Sequence, residues 1–143
     1  MTIDRSSCIK ALAISVVLMS FSFHANARST TLVEPGPTMI NCSLTAAKME
    51  SAIAKGGARR GWKMVDKAPN NIKLKFVKGA NKHSITVNVS HTAAKFEITY
   101  EDSINLDFNV KKDGTRRIHP KPIGWMKNLD SDIRKSANEL CYE

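Results

Sequence analysis

The chain has 143 residues, of which 42% are hydrophobic and 24% are charged. These fractions are close to those of globular proteins, so they exclude an intrinsically disordered chain and a polytopic membrane protein. Lysine and arginine total 22 against 13 acidic residues, a formal charge of +9. Such a surplus favours anionic partners, such as phospholipid headgroups, glycans or nucleic acid, and carries no information about the fold.

The first residues have the three parts of a secretory signal peptide. Arg5 and Lys10 lie before a mostly apolar run over residues 11–23, and Ala27 ends a small-x-small cleavage site. About 13 apolar residues are too few for the roughly 20 that span a bilayer, which favours cleavage over a retained anchor. We therefore expect residues 1–27 to be removed. The remainder, with 20 basic and 12 acidic residues, would be exported to the periplasm, with secretion as the alternative.

Cysteine usage agrees with export. Cys8 lies in the predicted signal peptide, so Cys42 and Cys141 remain as an even pair in an oxidising compartment. We expect a disulfide between them that closes a loop of about 100 residues. The absence of a Cys-x-x-Cys spacing argues against a redox-active or nucleophilic thiol.

The segment 28–41 is predicted to be a flexible, extended tether. It is rich in Ser, Thr and Pro, and its apolar residues follow neither a helical nor a strand period. Pro35 and Pro37 bracket a glycine, remove backbone donors and push the residues before them towards extended conformations. The folded domain would then comprise residues 42–143.

A first amphipathic helix is predicted from Ser43, as N-cap, to about Arg60, with Gly61 placed to end it. One face of this helix is apolar and comprises Cys42, Ala46, Met49 and Ile53. The pair Gly56-Gly57 weakens the helix, so it either ends the helix early or allows a close approach to the sheet.

The middle of the chain alternates apolar and polar residues with a period of two. This pattern predicts strands over 72–76, 85–89 and 96–100, with a leading strand over 62–66. Turn-forming residues separate the strands, so an antiparallel meander of three or four strands is expected.

Pro120 and Pro122 indicate the start of a second helix, predicted from about Ile123 to Leu140. Its apolar stripe comprises Trp125, Leu129, Ile133, Ala137 and Leu140. Both helices have one face to bury and the sheet has one face to cover. We therefore predict an α+β fold, a two-layer sandwich in which the N-terminal and C-terminal helices cover one face of the meander. Trp62 and Trp125 are expected in the core.

The sequence carries no motif typical of a catalytic or metal site. Of the histidines outside the signal peptide, His83 and His91 lie at opposite ends of one predicted strand, too far apart to share a metal there, and His119 lies elsewhere. We expect no catalytic residues, no metal and no cofactor.

Four lysines are predicted on the sheet face opposite the helices, and we call them the lysine face: Lys63, Lys73, Lys75 and Lys95. Lys78 and Lys82 lie at a nearby turn. These lysines either solubilise an open sheet and protect its edges, or dock an anionic partner. Nucleic acid is a weaker candidate, because no aromatic residues are interleaved with the lysines to stack bases.

Three stretches resemble a group of small bacterial periplasmic proteins and predicted lipoproteins of the envelope: Arg60-Gly61-Trp62, Ile98–Leu106 with its Tyr-Glu-Asp-Ser-Ile-Asn-Leu motif, and Ile118–Ile133 with its Trp-Met-Lys-Asn-Leu-Asp-Ser-Asp-Ile motif. The resemblance covers most of the chain after residue 27. It implies a Gram-negative periplasmic protein with a small α/β fold and no known activity. This chain departs from the pattern at Pro122-Ile123, where a Tyr-Asn pair is expected, and in lacking a lipid-acceptor cysteine.

These observations favour an exported, non-enzymatic binding or accessory protein that docks an anionic envelope component through the lysine face. The alternative is an inhibitor that inserts the segment 101–108 into a hydrolase. An enzyme would require carboxylates that converge in a concave pocket.

Overall fold

The computed structural model describes residues 29–143, and the predicted signal peptide lies outside this range. A 3-10 turn at Leu140–Tyr142 follows the last helix. The elements before it are, in chain order, β1 (Thr30–Thr31), β2 (Gly36–Met39), α1 (Ala46–Ala58), β3 (Lys63–Ala68), β4 (Asn71–Lys78), β5 (His83–His91), β6 (Lys95–Ile104), β7 (Asn109–Val110), β8 (Arg116–Ile118) and α2 (Pro120–Glu139).

The predicted α+β architecture is confirmed. Strands β3 to β6 form a four-stranded antiparallel meander, β2 adds a fifth strand beside β6, and β1, β8 and β7 form a separate small sheet. In β4, β5 and β6, alternation buries residues against α1 and α2, as in Ile72, Leu74 and Val87, whereas every residue of β3 is exposed. No helix of the described part is long and apolar enough to cross a membrane.

The segment predicted to be a tether is instead part of the fold. Strand β2 pairs with β6 over four residues, and Leu32 and Ile40 are buried. Pro37 is tolerated because β2 is an edge strand with a neighbour on one side only. The backbone N–H of Tyr100 donates to Glu34 Oε1 at 2.7 Å, which also ties the segment to β6. Strands of two and four residues are too short to show a period in the sequence.

Helix α1 begins later than predicted. Thr45, and not Ser43, is its N-cap, because the Thr45 hydroxyl accepts from the Lys48 N–H at 3.2 Å. The residue before the cap, Leu44, donates its N–H to Ala93 O in the turn between β5 and β6. The helix runs through Gly56 and Gly57, which are both buried. Gly57 makes the expected close approach to the sheet, at Leu74 of β4, whereas Gly56 lies against α2 and not against the sheet.

Helix α2 begins at Pro120 with His119 as its N-cap, three residues earlier than predicted. Leu129, Ile133 and Ala137 of the predicted stripe are fully buried, but Trp125 is only half-buried and Met126 takes the fully buried position. The core prediction therefore holds for Trp62, which is 4% exposed, and only in part for Trp125, which is half-buried and packed against the core.

The predicted disulfide between Cys42 and Cys141 is present, with the two Cα atoms 5.8 Å apart. It joins the chain before α1 to the 3-10 turn after α2. The N-terminal start of one helix therefore lies beside the C-terminal end of the other, and the two helices run antiparallel.

Candidate cationic site

The lysines of the lysine face differ in their surroundings in the structure. Lys63 and Lys75 are register partners on β3 and β4, so two ammonium groups lie side by side on the open face of the sheet. Lys73, by contrast, donates to Glu101 Oε1 at 2.6 Å. This hydrogen bond raises the pKa of Lys73 above its usual value. The charge of Lys73 is therefore already paired within the chain.

Carboxylates are interleaved with the lysines on the same face. Asp66 is the register partner of Lys73. Asp102 is the register partner of Thr86, which faces away from the core because its neighbours Ile85 and Val87 are buried. Glu97 lies on this face for the same reason, because it alternates with the buried Phe96 and Ile98. The open sheet face therefore carries both positive and negative charges. Lys95, the first residue of β6, is two positions from Glu97.

A separate concave site lies at the end of the sheet where the β4–β5 turn, the segment after β6 and the start of α2 meet. It encloses about 540 Å³, and we call it the cationic cavity. Among residues 29–143 no carboxylate lines it; its walls are Lys78, His83, Asn105, Leu106, His119, Lys121 and Trp125.

The β4–β5 turn brings Lys78 and His83 to this cavity. Gly79 has a φ of +66°, in the left-handed region that favours glycine. A β-carbon on Gly79 would lie 3.3 Å from Cδ2 of His83. The missing side chain therefore allows the turn to lie directly against the imidazole.

Asn105 joins this turn to the segment after β6. Its side-chain Nδ2 donates to Lys82 O at 2.7 Å, and its backbone O accepts from Nδ1 of His83 at 2.8 Å. A carbonyl oxygen only accepts, so Nδ1 of His83 carries hydrogen and Nε2 is the ring nitrogen left for a ligand. Asn105 has a φ of +55°, a left-handed conformation that asparagine adopts more readily than most residues.

His119 is oriented by the start of α2. Its Nδ1 accepts from the Lys121 N–H at 3.2 Å, and its own backbone N–H donates to Leu106 O at 2.8 Å. Because Nδ1 uses its lone pair in this cap, the neutral ring carries its hydrogen on Nε2. The two imidazoles of the cavity are therefore held in opposite tautomers, His119 with a donor and His83 with an acceptor at Nε2.

Trp125 lines one side of the cavity, and we call its ring the aromatic wall. The Trp125 ring contacts Phe76 nearly edge-on, with ring centroids 5.1 Å apart, and Phe76 contacts Trp62 at 5.3 Å. This chain of rings connects the half-buried Trp125 to the core, so its position is set by packing.

Lys78 links the cationic cavity to the open face of the sheet. A shallower hollow of about 300 Å³ on that side is lined by Lys63, Lys75 and Lys78, with Gly61 and the β4–β5 turn. Lys63 and Lys75 of the lysine face therefore line the hollow that shares Lys78 with the cavity, and none of the four lysines of the lysine face lines the cavity itself.

The segment 101–108 lies against the domain. Its first four residues belong to β6, Leu106 is buried, and the Phe108 ring stacks on Tyr100 with centroids 4.5 Å apart. Its exposed apolar side chains are Ile104, at 52%, and Phe108, at 36%.

Sequence reasoning missed the cavity because its polar residues come from three separate segments, and of these residues only Lys78 was considered for anion binding, as a neighbour of the lysine face. The stretches on which the resemblance rests contain Asn105, His119 and Trp125, but none of these three was predicted as a site residue. Within residues 29–143 no three His, Cys, Asp or Glu side chains gather in a metal-binding arrangement. No protein-family model matches the chain, and no similar curated protein or solved structure was found.

Proposed function

We propose that this chain is an exported, periplasmic binding protein without catalytic activity that holds an anionic envelope component in the cationic cavity. The observation that carries this proposal is the composition of the cavity wall, which combines two lysines and two histidines with no carboxylate. The volume of about 540 Å³ is typical of a small-ligand site. The lysine face is the weaker location, because the carboxylates of Glu101 and Asp66 lie against Lys73.

The concave shape strengthens the attraction for anions. Low-dielectric walls of one charge sign focus the electric field in a cleft and raise the local concentration of counter-ions. The ammonium groups of Lys63 and Lys75, near Lys78, extend the positive field beyond the mouth of the cavity. An anion approaching the open sheet would therefore be steered towards the β4–β5 turn.

Export is supported by the disulfide and by the N-terminal pattern. A Cys42–Cys141 bond persists in oxidising compartments such as the bacterial periplasm. Together with the signal-peptide pattern of residues 1–27, it supports the periplasm as the location.

Binding of inorganic pyrophosphate, measured by titration calorimetry, tests the site. The double variant Lys78→Ala/Lys121→Ala is expected to bind at least about tenfold more weakly than the unsubstituted chain. The matched control removes two exposed lysines from the helices, Lys48→Ala/Lys127→Ala, and is expected to change affinity less than about twofold. Equal losses in both variants would mean that net charge, and not the cavity, holds the anion.

A second variant pair addresses the lysine face. If Lys73→Glu/Lys95→Glu weakens pyrophosphate binding more than Lys78→Ala/Lys121→Ala does, the anion docks on the open sheet and the cavity is not the site.

The alternative function is inhibition of a hydrolase through the segment 101–108. The exposed side chains of Ile104 and Phe108 are the observation that favours it, because exposed apolar side chains within one short segment can contact a partner protein. A panel of periplasmic and secreted hydrolases tests it. An inhibitory activity that Ile104→Glu abolishes would support this alternative over the cavity.

A further inference from the structure

We propose that the cationic cavity takes the phosphate monoester of a ring compound, and that His83 alone takes up one proton when this ligand binds. The inference rests on the proposed anion-binding function and adds the ligand class and the proton-coupled residue. It follows from the unequal hydrogen bonding of the two histidines, from the charges around them and from the aromatic wall.

The two imidazoles differ in what protonation would cost. A proton added to His119 must go to Nδ1, where it would displace the Lys121 N–H that now caps α2. A proton added to His83 goes to Nε2, and the hydrogen bond from Nδ1 to Asn105 O is kept. His83 can therefore change from acceptor to charged donor without a change in the fold, whereas His119 serves as a neutral donor.

The charges around His83 indicate that binding of an anion favours its protonation. The charged and titratable groups that line the cavity with it are Lys78 from its own hairpin, and His119 and Lys121 from the start of α2; Lys82 precedes it in the turn. No carboxylate lines the cavity to compensate a charge on His83. A bound anion supplies that compensation, so by linkage its binding and the protonation of His83 strengthen each other.

The balance of charge selects a phosphate monoester. Lys78, Lys121 and a protonated His83 present three positive charges, and His119 adds a neutral donor. A phosphate monoester brings about 1.5 to 2 negative charges and three acceptor oxygens. A carboxylate or a sulfate ester brings one negative charge and leaves about two of these positive charges uncompensated, whereas a phosphate monoester leaves about one.

The aromatic wall and the size of the cavity select the rest of the ligand. A phosphate group alone would leave most of about 540 Å³ unfilled. Trp125 is half-buried and supported by Phe76, so it offers a fixed flat surface on which a planar or sugar ring can pack.

The test is titration calorimetry with phenyl phosphate at about pH 7.5, where a phosphate monoester is mostly the dianion. Runs in two buffers of different ionisation enthalpy give the number of protons taken up, and we expect it to approach one. His83→Gln should take up none and bind several-fold more weakly. His119→Gln, the matched control, should still take up the proton.

Two further probes test the ligand class. Phenyl sulfate has the same shape with one charge less, and inorganic phosphate lacks the ring. Each is expected to bind at least about tenfold more weakly than phenyl phosphate. Equal affinity for phenyl sulfate, or for inorganic phosphate, would overturn the phosphate or the ring part of the inference respectively.

The proton count decides the role of His83. Binding without proton uptake, or uptake that persists in His83→Gln, refutes it. Nitrogen-15 NMR of the histidine rings in the unsubstituted chain provides the same test without a variant, because Nε2 of His83 should gain a proton as phenyl phosphate is added while Nδ1 of His119 stays unprotonated. Failure of both phenyl phosphate and pyrophosphate to bind would overturn the anion-binding proposal itself.

Discussion

Gly56 of α1 lies directly against the backbone of Ile133 in α2, since a β-carbon on Gly56 would be 2.6 Å from the Ile133 Cα atom. Contact with backbone cannot be relieved by a rotamer change, so the two helices can pack this closely only where a side chain is missing. The disulfide and this contact together hold α1 and α2 as one layer over the sheet.

Gly56→Ala should destabilise the domain despite the higher helix propensity of alanine. We expect a loss of about 1–3 kcal/mol in the free energy of unfolding, because the helices must separate. Gly57→Ala is the control: its β-carbon would meet Leu74 Cδ1 at 3.1 Å and Trp62 Cβ at 3.3 Å, so these atoms need to give by only a few tenths of an ångström. Urea denaturation followed by far-UV circular dichroism measures both, and equal stability of the two variants would contradict the backbone contact.

Removal of the disulfide should lower stability more than any single surface substitution. The bond joins residues 99 positions apart, and a loop of this size contributes about 4–5 kcal/mol in the chain-entropy model. Cys42→Ala/Cys141→Ala and the reduced native chain are expected to show the same decrease in urea midpoint. If reduction leaves the midpoint unchanged, the bond does not constrain the unfolded chain as argued.

Thr38→Val should loosen the N-terminal edge strand. The Thr38 hydroxyl donates to Asp130 Oδ1 of α2 at 2.5 Å, and the substitution leaves this half-buried carboxylate without that donor. We expect a loss of about 1–3 kcal/mol and faster hydrogen exchange in β2 than in β5. Thr86→Val on the open sheet face is the control and should have little effect. Unchanged exchange in β2 would show that β6 alone holds this strand.

His91 should make the domain less stable in acid. It is 5% exposed, and its Nε2 has no hydrogen-bond partner in the described part of the chain. Burial is the largest cause that lowers the pKa of His91 below its ordinary value of 6.5, with Lys67 acting in the same direction and Glu50 opposing it.

The unfolded chain therefore binds this proton more readily than the folded one. The contribution of His91 is complete above about pH 6.5 and is lost as the pH falls below it. The urea midpoint of the native chain, measured across this range, should fall relative to that of His91→Phe as the pH falls. Parallel pH profiles would show that His91 is not responsible.

The pattern of the sequence determined the meander, the two helices and the disulfide. Alternation over residues 72–76, 85–89 and 96–100 depends only on the two-residue repeat of a strand, and the stripe in α2 depends only on the helical repeat. The cysteine pairing followed from parity, because two cysteines in an oxidising compartment allow one intramolecular bond. Each of these is a property of local geometry or of a count, so each can be read from the chain alone.

The tertiary structure alone decided the edge strand β2 and the cationic cavity. Residues 36–39 become a strand because β6, about 60 positions away, offers them a free edge. Lys78, His83, His119 and Lys121 come together because the β4–β5 turn and the start of α2 end on the same side of the sheet. The tautomers of His83 and His119 likewise depend on backbone groups of Asn105 and Lys121 that only the folded chain brings into reach. Contacts between distant segments leave no period in the sequence, which is why the site became visible only in the fold.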